Sequence, residues 1–123
     1  MSTYEIIDCY CQAWSDGDPM RREKLLASVW GVNATYTDPN VHVEGASELL
    51  AHIARIQATR PGATVWRTTG VDEHHSIARF GFQVLAPDGM ILCQGTDIAF
   101  MTADGTRIER VIGFFGPIAS RSA

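Results

Sequence analysis

The sequence lacks any apolar run close to the roughly 20 residues that a membrane-spanning helix requires. It also lacks a basic excess, because 10 Lys and Arg residues stand against 14 Asp and Glu residues, a net charge of −4. Nucleic-acid phosphates are bound by basic surfaces, so nucleic acid is not an expected partner. The first residues have neither the basic nor the apolar part of a secretory signal, which predicts a cytoplasmic protein.

Cysteines are few, and their spacing fits neither a metal site nor a redox motif. The three residues Cys9, Cys11 and Cys93 make an odd number, and the first two point to different sides of a predicted helix. We expect all three to be reduced, buried, small apolar side chains. A Gly-rich phosphate loop and a set of convergent metal ligands are also missing from the sequence, so no metal and no other cofactor is predicted.

The remaining composition is that of an ordinary folded domain. The chain has 123 residues, of which 46% are hydrophobic and 20% are charged. This length is enough for one core, and the sequence contains no repeat, linker or low-complexity segment. A single domain over residues 1–123 is therefore predicted.

The first half of the chain carries the pattern of three helices. Apolar residues recur at helical spacing over residues 3–14, 18–30 and 46–59. Asp18 can cap the second helix, and Pro19 suits its first turn. Between the second and third helices, residues 34–37 predict a short strand, residues 38–40 a turn, and residues 42–44 another short strand.

The second half changes to the alternating pattern of strands. Strands are predicted at residues 64–72, 76–86, 90–102 and 107–115, with Asp-Gly turns between the last three. This order predicts an α+β fold in which the helices pack on one face of a curved, mainly antiparallel sheet and enclose a conical cavity. The other face carries apolar groups that need cover, so a homodimer through this open face is predicted.

Two acidic residues are the main candidates for a functional site. Asp38 precedes Pro39 at the end of the first strand, where it either closes a turn with its side chain or faces the cavity. Asp97 shares a strand face with apolar residues, and burial of an unpaired charge is costly. We therefore expect Asp97 to be functional, with an ion pair to Arg79 or Arg110 as the alternative.

Aromatic residues and histidines supply the candidates for ligand contact. Tyr10 lies on the apolar face of the first helix, where it is either a core residue or a hydrogen-bond donor to a ligand. His42 follows the Asp-Pro turn and can line the mouth of the pocket. His52 is expected at the edge of the third helix, and His74 and His75 at an exposed turn. Because ligand pockets are largely apolar, the predicted substrate-binding residues are Trp14, Tyr36, His42, Phe80, Phe82 and Phe114.

Short motifs over nearly the whole chain occur in a recognisable order. They are Tyr10-x-x-x-Trp14 with Asp16-Gly17-Asp18, Tyr36-x-Asp38-Pro39, Gly45, Ala78-Arg79-Phe80, Asp88-Gly89, Gly95-x-Asp97, Asp104-Gly105-x-Arg107-Ile108 and Gly113-Phe114-Phe115-Gly116. In this order they resemble the nuclear-transport-factor-2-like (NTF2-like), or SnoaL-like, superfamily. The resemblance implies a cone-shaped, cystatin-like domain.

Within that superfamily the chain looks most like the ketosteroid isomerase and polyketide cyclase branch. Ketosteroid isomerases have a tyrosine on the first helix, an aspartate before a proline, and an aspartate on a later strand. Tyr10, Asp38 and Asp97 stand at the matching places. The resemblance implies that Asp38 is the base, whereas Tyr10 and a protonated Asp97 hold the enolate oxygen. SnoaL-type cyclases also use an aspartate on the long strand, and Asp97 fits that role too.

The resemblance implies a small cofactor-independent enzyme that acts on a hydrophobic carbonyl compound by acid/base proton transfer. Isomerisation, cyclisation and dehydration share this chemistry. The alternative is a non-catalytic domain that binds a small hydrophobic ligand, and a protein-interaction module ranks last. The enzyme requires Asp38 and Asp97 in one cavity with a raised pKa for at least one of them. In a binding domain, caps or ion pairs would occupy them.

Overall fold

The computed structural model describes residues 1–122, which contain three helices and seven strands. The helices are α1 (Thr3–Ser15), α2 (Pro19–Val29) and α3 (Gly45–Thr59). The strands are β1 (Trp30–Asp38), β2 (Val41–Glu44), β3 (Thr64–Arg67), β4 (Asp72–His74), β5 (Ile77–Leu85), β6 (Ile91–Met101) and β7 (Ile108–Phe115). No helix in this part of the chain is both long and apolar enough to cross a membrane.

The strands form one mixed sheet in the order β2-β1-β7-β6-β5-β3, and β4 pairs with β5 beside this path. Strands β1 and β7 run parallel, whereas the other pairs are antiparallel. This parallel pairing places the first strand of the chain, β1, beside the last strand, β7. Residues of β1 and of β6 therefore approach each other across β7, which is important for the site described below.

Helix starts follow from local hydrogen bonding. Ser2 and Glu5 form a reciprocal capping box at the start of α1. The carboxylate of Asp18 accepts a hydrogen bond from the Met20 amide at the start of α2, where Pro19 occupies the first turn. Gly45, with φ of +78°, allows the sharp change from β2 into α3.

Two boundaries differ from the sequence-based expectations. Strand β1 begins at Trp30, four residues before the predicted start at residue 34, because Trp30 pairs with Ile108 of β7 and its ring stacks on Tyr10. Helix α2 accordingly ends at Val29. The predicted strand over residues 64–72 divides into β3 and β4. Between them the Thr68 amide bonds to the carbonyl of Gly81, away from the regular ladder. The other predicted elements match to within one or two residues.

The core lies between the helices and the inner face of the sheet. Its fully buried members include Ile6, Tyr10, Leu49, Ile53 and Phe80. The three cysteines are free thiols, but only Cys11 is buried as predicted, whereas Cys9 and Cys93 are partly exposed. The inner face also carries Asp97, a charged type of side chain that is 7% exposed among these apolar neighbours.

Candidate functional site

A cavity of about 270 Å³ opens between α1, α3 and the inner face of the sheet. Its walls are mostly aromatic and aliphatic, and a few polar groups face into it. Tyr10 and Trp14 come from α1, His52 comes from α3, and Arg60 follows directly after the end of α3. The sheet and the turn after β1 contribute, among others, Tyr36, Asp38, Phe82, Cys93, Asp97 and Phe115.

The carboxylate of Asp38 is held by three hydrogen bonds. Its Oδ1 accepts from the backbone amides of Asn40 and Val41, at 2.8 and 3.1 Å. Its Oδ2 accepts from the Tyr36 hydroxyl at 2.7 Å. Both interpretations of Asp38 in the sequence therefore describe its position: one oxygen closes the turn, and the side chain lines the cavity.

Asp97 has no hydrogen bond or ion pair to any other residue among 1–122. The alternative of an ion pair to arginine was wrong. Arg79 pairs with Asp72 at 2.6 Å, and the Arg110 guanidinium lies over the Phe100 ring at 5.6 Å. Burial, and then the negative charge of Asp38, raise the pKa of Asp97 to about 7.

Gly113 of β7 leaves room for the two carboxyl groups. Asp97 is its partner in the antiparallel β6–β7 register, and β1 lies on the other side of β7. A Cβ atom at position 113 would lie 2.8 Å from Oδ1 of Asp97 and 3.7 Å from Cβ of Asp38. The missing side chain therefore lets an acid from β1 and an acid from β6 face the same space.

The Tyr10 hydroxyl is a permanently protonated donor at this cavity. Its ring is 2% exposed and stacks on Trp30 at 5.6 Å, with the Trp14 ring edge-on at 6.3 Å. Burial raises the pKa of Tyr10 well above its ordinary value, and the nearby acidic groups of Tyr36 and Asp97 raise it further. Burial and the bond to Asp38 also raise the pKa of Tyr36. Both phenols therefore keep their protons at any working pH.

The sequence predicts His52 at the edge of the third helix, and the structure places it on the cavity wall. Its imidazole lies 5.6 Å from the Trp14 ring and 6.1 Å from the Tyr36 ring. Burial lowers its pKa below the ordinary 6.5, opposed by the Asp38 charge and assisted by Arg55. The sequence contains a signal for this position, the four-residue spacing of His52, Ile56 and Arg60. At helical spacing these residues form a row next to the buried Leu49 and Ile53.

Three of the predicted ligand-contacting residues lie outside the cavity. His42 sits on the outer face opposite Thr37, whose hydroxyl is 2.6 Å from the His42 ring. Phe80 is 2% exposed and packs within the core. Phe114 is 60% exposed, because side chains alternate along β7 and Phe115 takes the inner position. The structure describes no group of three or more His, Cys, Asp or Glu residues in residues 1–122 that could hold a metal.

No protein-family model matches this sequence, and no curated protein is significantly similar to it. The structure is similar to that of a proposed isomerase of the SnoaL-like family from Agrobacterium tumefaciens strain C58. The TM-score is 0.85 and the sequence identity 30%, over 94% of this chain and 97% of that chain.

More distant structures share the fold alone. A protein from Catenulispora acidiphila with a ketosteroid isomerase-like fold, solved with trimethylamine, has a TM-score of 0.72 at 14% identity, over 91% of this chain and 85% of that one. A proposed SnoaL-like polyketide cyclase from Jannaschia sp. CCS1 has a TM-score of 0.69 at 12% identity, over 92% and 84%. These neighbours confirm the predicted α+β, NTF2-like fold. From the near-complete match at 30% identity, the chain belongs to the SnoaL-like family of the NTF2-like superfamily.

Proposed function

We propose that this protein is a cofactor-independent enzyme that moves a proton at a carbon next to a carbonyl group, as a single domain over residues 1–123. The observation that carries the proposal is Asp97: a buried carboxyl group without a protein partner in residues 1–122, facing an apolar cavity beside a second carboxylate. Burial of such a group costs free energy. A functional requirement accounts for that cost.

Asp97 is the general acid and base in this proposal. Its pKa of about 7 suits that role, because proton transfer is most efficient when the pKa is close to the working pH. Asp38 has both oxygens engaged by Tyr36, Asn40 and Val41. The proposal therefore moves the role of base from Asp38 to Asp97, whose pKa is raised by burial and then by the charge of Asp38.

The Tyr10 hydroxyl supports this chemistry as the donor to the ligand oxygen. When a base removes a proton next to a carbonyl, negative charge develops on the carbonyl oxygen, and a preorganised donor stabilises it. Tyr10 lines the cavity with Asp97, and its raised pKa keeps it protonated. Its ring is held by Trp30 and Trp14, so little reorganisation is needed during the reaction.

The cavity supports a small, flat, hydrophobic ligand. Its volume of about 270 Å³ lies at the lower end of the range of ligand pockets. Trp14, Phe82 and Phe115 supply aromatic walls. The centroids of the Phe82 and Phe115 rings are 6.3 Å apart. A carbonyl compound of about two or three fused rings matches this size. The isomerase proposed for the Agrobacterium relative favours the same reaction class.

The alternative is a non-catalytic domain of the same fold that binds a small hydrophobic molecule. The hydrogen bonds to Asp38 favour it, because a carboxylate with both oxygens engaged resembles a structural turn residue. The free Asp97 favours the enzyme. Catalysis at Asp97 therefore decides between the two functions.

The test is hydrogen exchange in a simple ketone. In D2O, NMR follows deuterium incorporation next to the carbonyl of 1-tetralone, with and without the protein. We expect the wild type to accelerate this exchange, and Asp97→Asn to lower the rate by about 100-fold or more. Asp88→Asn, in an exposed turn, is the matched control and should keep the wild-type rate. Equal rates for wild type and Asp97→Asn would contradict the proposal.

We also propose that two copies of the chain associate through the outer face of the sheet. Phe114 and Trp66 are 60% and 57% exposed there, and Ile98, Phe100 and Ile112 of β6 and β7 lie half-buried on the same face as Phe114. Exposed apolar patches of this kind mark association surfaces. Size-exclusion chromatography with light scattering should find a dimer that Phe114→Glu converts to a monomer. A monomeric wild type would contradict this.

A further inference from the structure

His52 is the histidine of this chain whose ring nitrogens have no hydrogen-bond partner in residues 1–122. His42 contacts Thr37 and Glu44, and His74 and His75 contact each other at 3.1 Å. The imidazole of His52 instead packs against both the Trp14 and the Tyr36 ring, which also contact each other, and it lines the cavity. Its polar atoms are therefore available to a ligand.

We propose that His52 is a second proton-transfer group, which acts on the bound ligand from the α3 wall while Asp97 acts from the sheet. This inference rests on the proposed function and adds a second catalytic residue to it. The two groups belong to different elements, α3 and β6, and line one cavity. A flat ligand between the helix and the sheet can therefore contact both groups at once.

The electrostatics of the cavity put both groups in the forms that such a transfer requires. Burial lowers the pKa of His52, so near pH 7 it is neutral and one ring nitrogen can accept a proton. Asp38 on β1 opposes this effect, Arg55 on α3 assists it, and the neighbouring Tyr36 is uncharged. Asp97, with a pKa of about 7, is partly protonated at the same pH and can give a proton.

The step balances without any co-reactant. His52 takes a proton from a carbon or hydroxyl group of the ligand, and the electron pair left behind moves into the ligand as a new double bond. The existing double bond opens and takes the proton of Asp97 at its far end. The ligand keeps its formula, which makes the reaction an isomerisation. The imidazolium of His52 then releases a proton to solvent at the mouth of the cavity, and the carboxylate of Asp97 takes one up.

The first test observes His52 directly. NMR of the histidine Cε1–H groups, from pH 4.5 to 8, gives the titration midpoint of each ring with and without 1-naphthol, a planar mimic of the 1-tetralone enol. We expect the His52 midpoint to lie below 6.5 in the free protein. It should fall further by about 0.5 or more with 1-naphthol, because a hydrogen bond to the neutral ring disfavours protonation.

His42 is the internal control for this titration, because it lies on the outer face of the sheet. Its midpoint should not change when 1-naphthol is added. If the His52 midpoint is also unchanged at the highest soluble concentration of 1-naphthol, the inference is wrong.

The second test separates this inference from the proposed function. The exchange rate of 1-tetralone is compared between His52→Gln and His42→Gln. We expect a loss of about tenfold or more for His52→Gln alone. If Asp97→Asn abolishes exchange but His52→Gln keeps the rate of His42→Gln, the proposed function stands and the role of His52 is refuted. If the wild type shows no exchange, the proposed function fails and the NMR titration still decides whether His52 meets a ligand.

Discussion

Tyr36 donates a hydrogen bond of 2.7 Å to Oδ2 of Asp38, two residues further along the same strand. Residues two apart on a strand point to the same face, so the phenol and the carboxylate meet at the cavity wall. The turn amides of Asn40 and Val41 hold the other oxygen. The position of Asp38 is thereby determined by local chain geometry, whereas that of Asp97 depends on the whole sheet.

Tyr36→Phe should destabilise the protein by about 1.5 to 3 kcal/mol, the usual contribution of a hydrogen bond to a charged group. The carboxylate of Asp38 would lose its Oδ2 partner within a buried region. Urea denaturation measures this change. Tyr4→Phe is the control, because Tyr4 is 54% exposed and its hydroxyl has no bond to lose in residues 1–122. Equal effects for the two variants would show that the Tyr36–Asp38 bond is not formed.

Asp97→Asn should stabilise the protein at neutral pH. The folded-state pKa of about 7 exceeds the ordinary 3.8, so the native state binds a proton that the unfolded chain has released. The wild type therefore loses stability as the pH rises from about 4 to 7, by up to about 4 kcal/mol. The asparagine variant lacks this loss. Urea denaturation at pH 4.5 and 7.5 should show a difference between the proteins that grows with pH. A difference independent of pH would contradict the raised pKa.

Gly113→Ala should disturb both carboxyl groups without unfolding the protein. The added methyl group would lie 2.8 Å from Oδ1 of Asp97, so that side chain must rotate at a cost of about 1 to 3 kcal/mol. We expect the 1-tetralone exchange rate to fall together with the stability. Gly17→Ala has no atom within 4 Å of its added carbon and should change neither quantity. An unchanged exchange rate in Gly113→Ala would place the reaction away from Asp97.

Phe115→Ala should weaken the binding of 1-naphthol by about tenfold or more, because an aromatic wall of the cavity is lost. Phe114→Ala removes the same group from the adjacent position, which points to the outer face, and should leave the affinity unchanged. Isothermal titration calorimetry measures both affinities. The reverse ranking of the two variants would mean that the ligand binds outside this cavity.

Much of the fold could be predicted from the sequence because its signals are local. Apolar spacing predicted α1 and α3, alternation predicted β5 to β7, and turn residues marked the hairpins. Trp30 was assigned to the wrong element because its state depends on Ile108, 78 positions later in the chain. Among the residues that line the cavity, Asp38, Tyr10 and Asp97 are candidates that the sequence indicates, whereas His52 is expected at a helix edge.

The sequence by itself determined the positions of most helices and strands, and it determined that an acid among apolar neighbours on β6 needs an explanation. These properties depend on periodicity and on the cost of burying charge, both of which act along a short stretch of chain. Only the tertiary structure decided which side chains meet. The parallel pairing of β1 with β7 brings Asp38 beside Asp97, Gly113 leaves space for both, and the packing of α3 turns His52 inward. These contacts join distant segments, so their geometry is determined by the packing of the sheet and helices together.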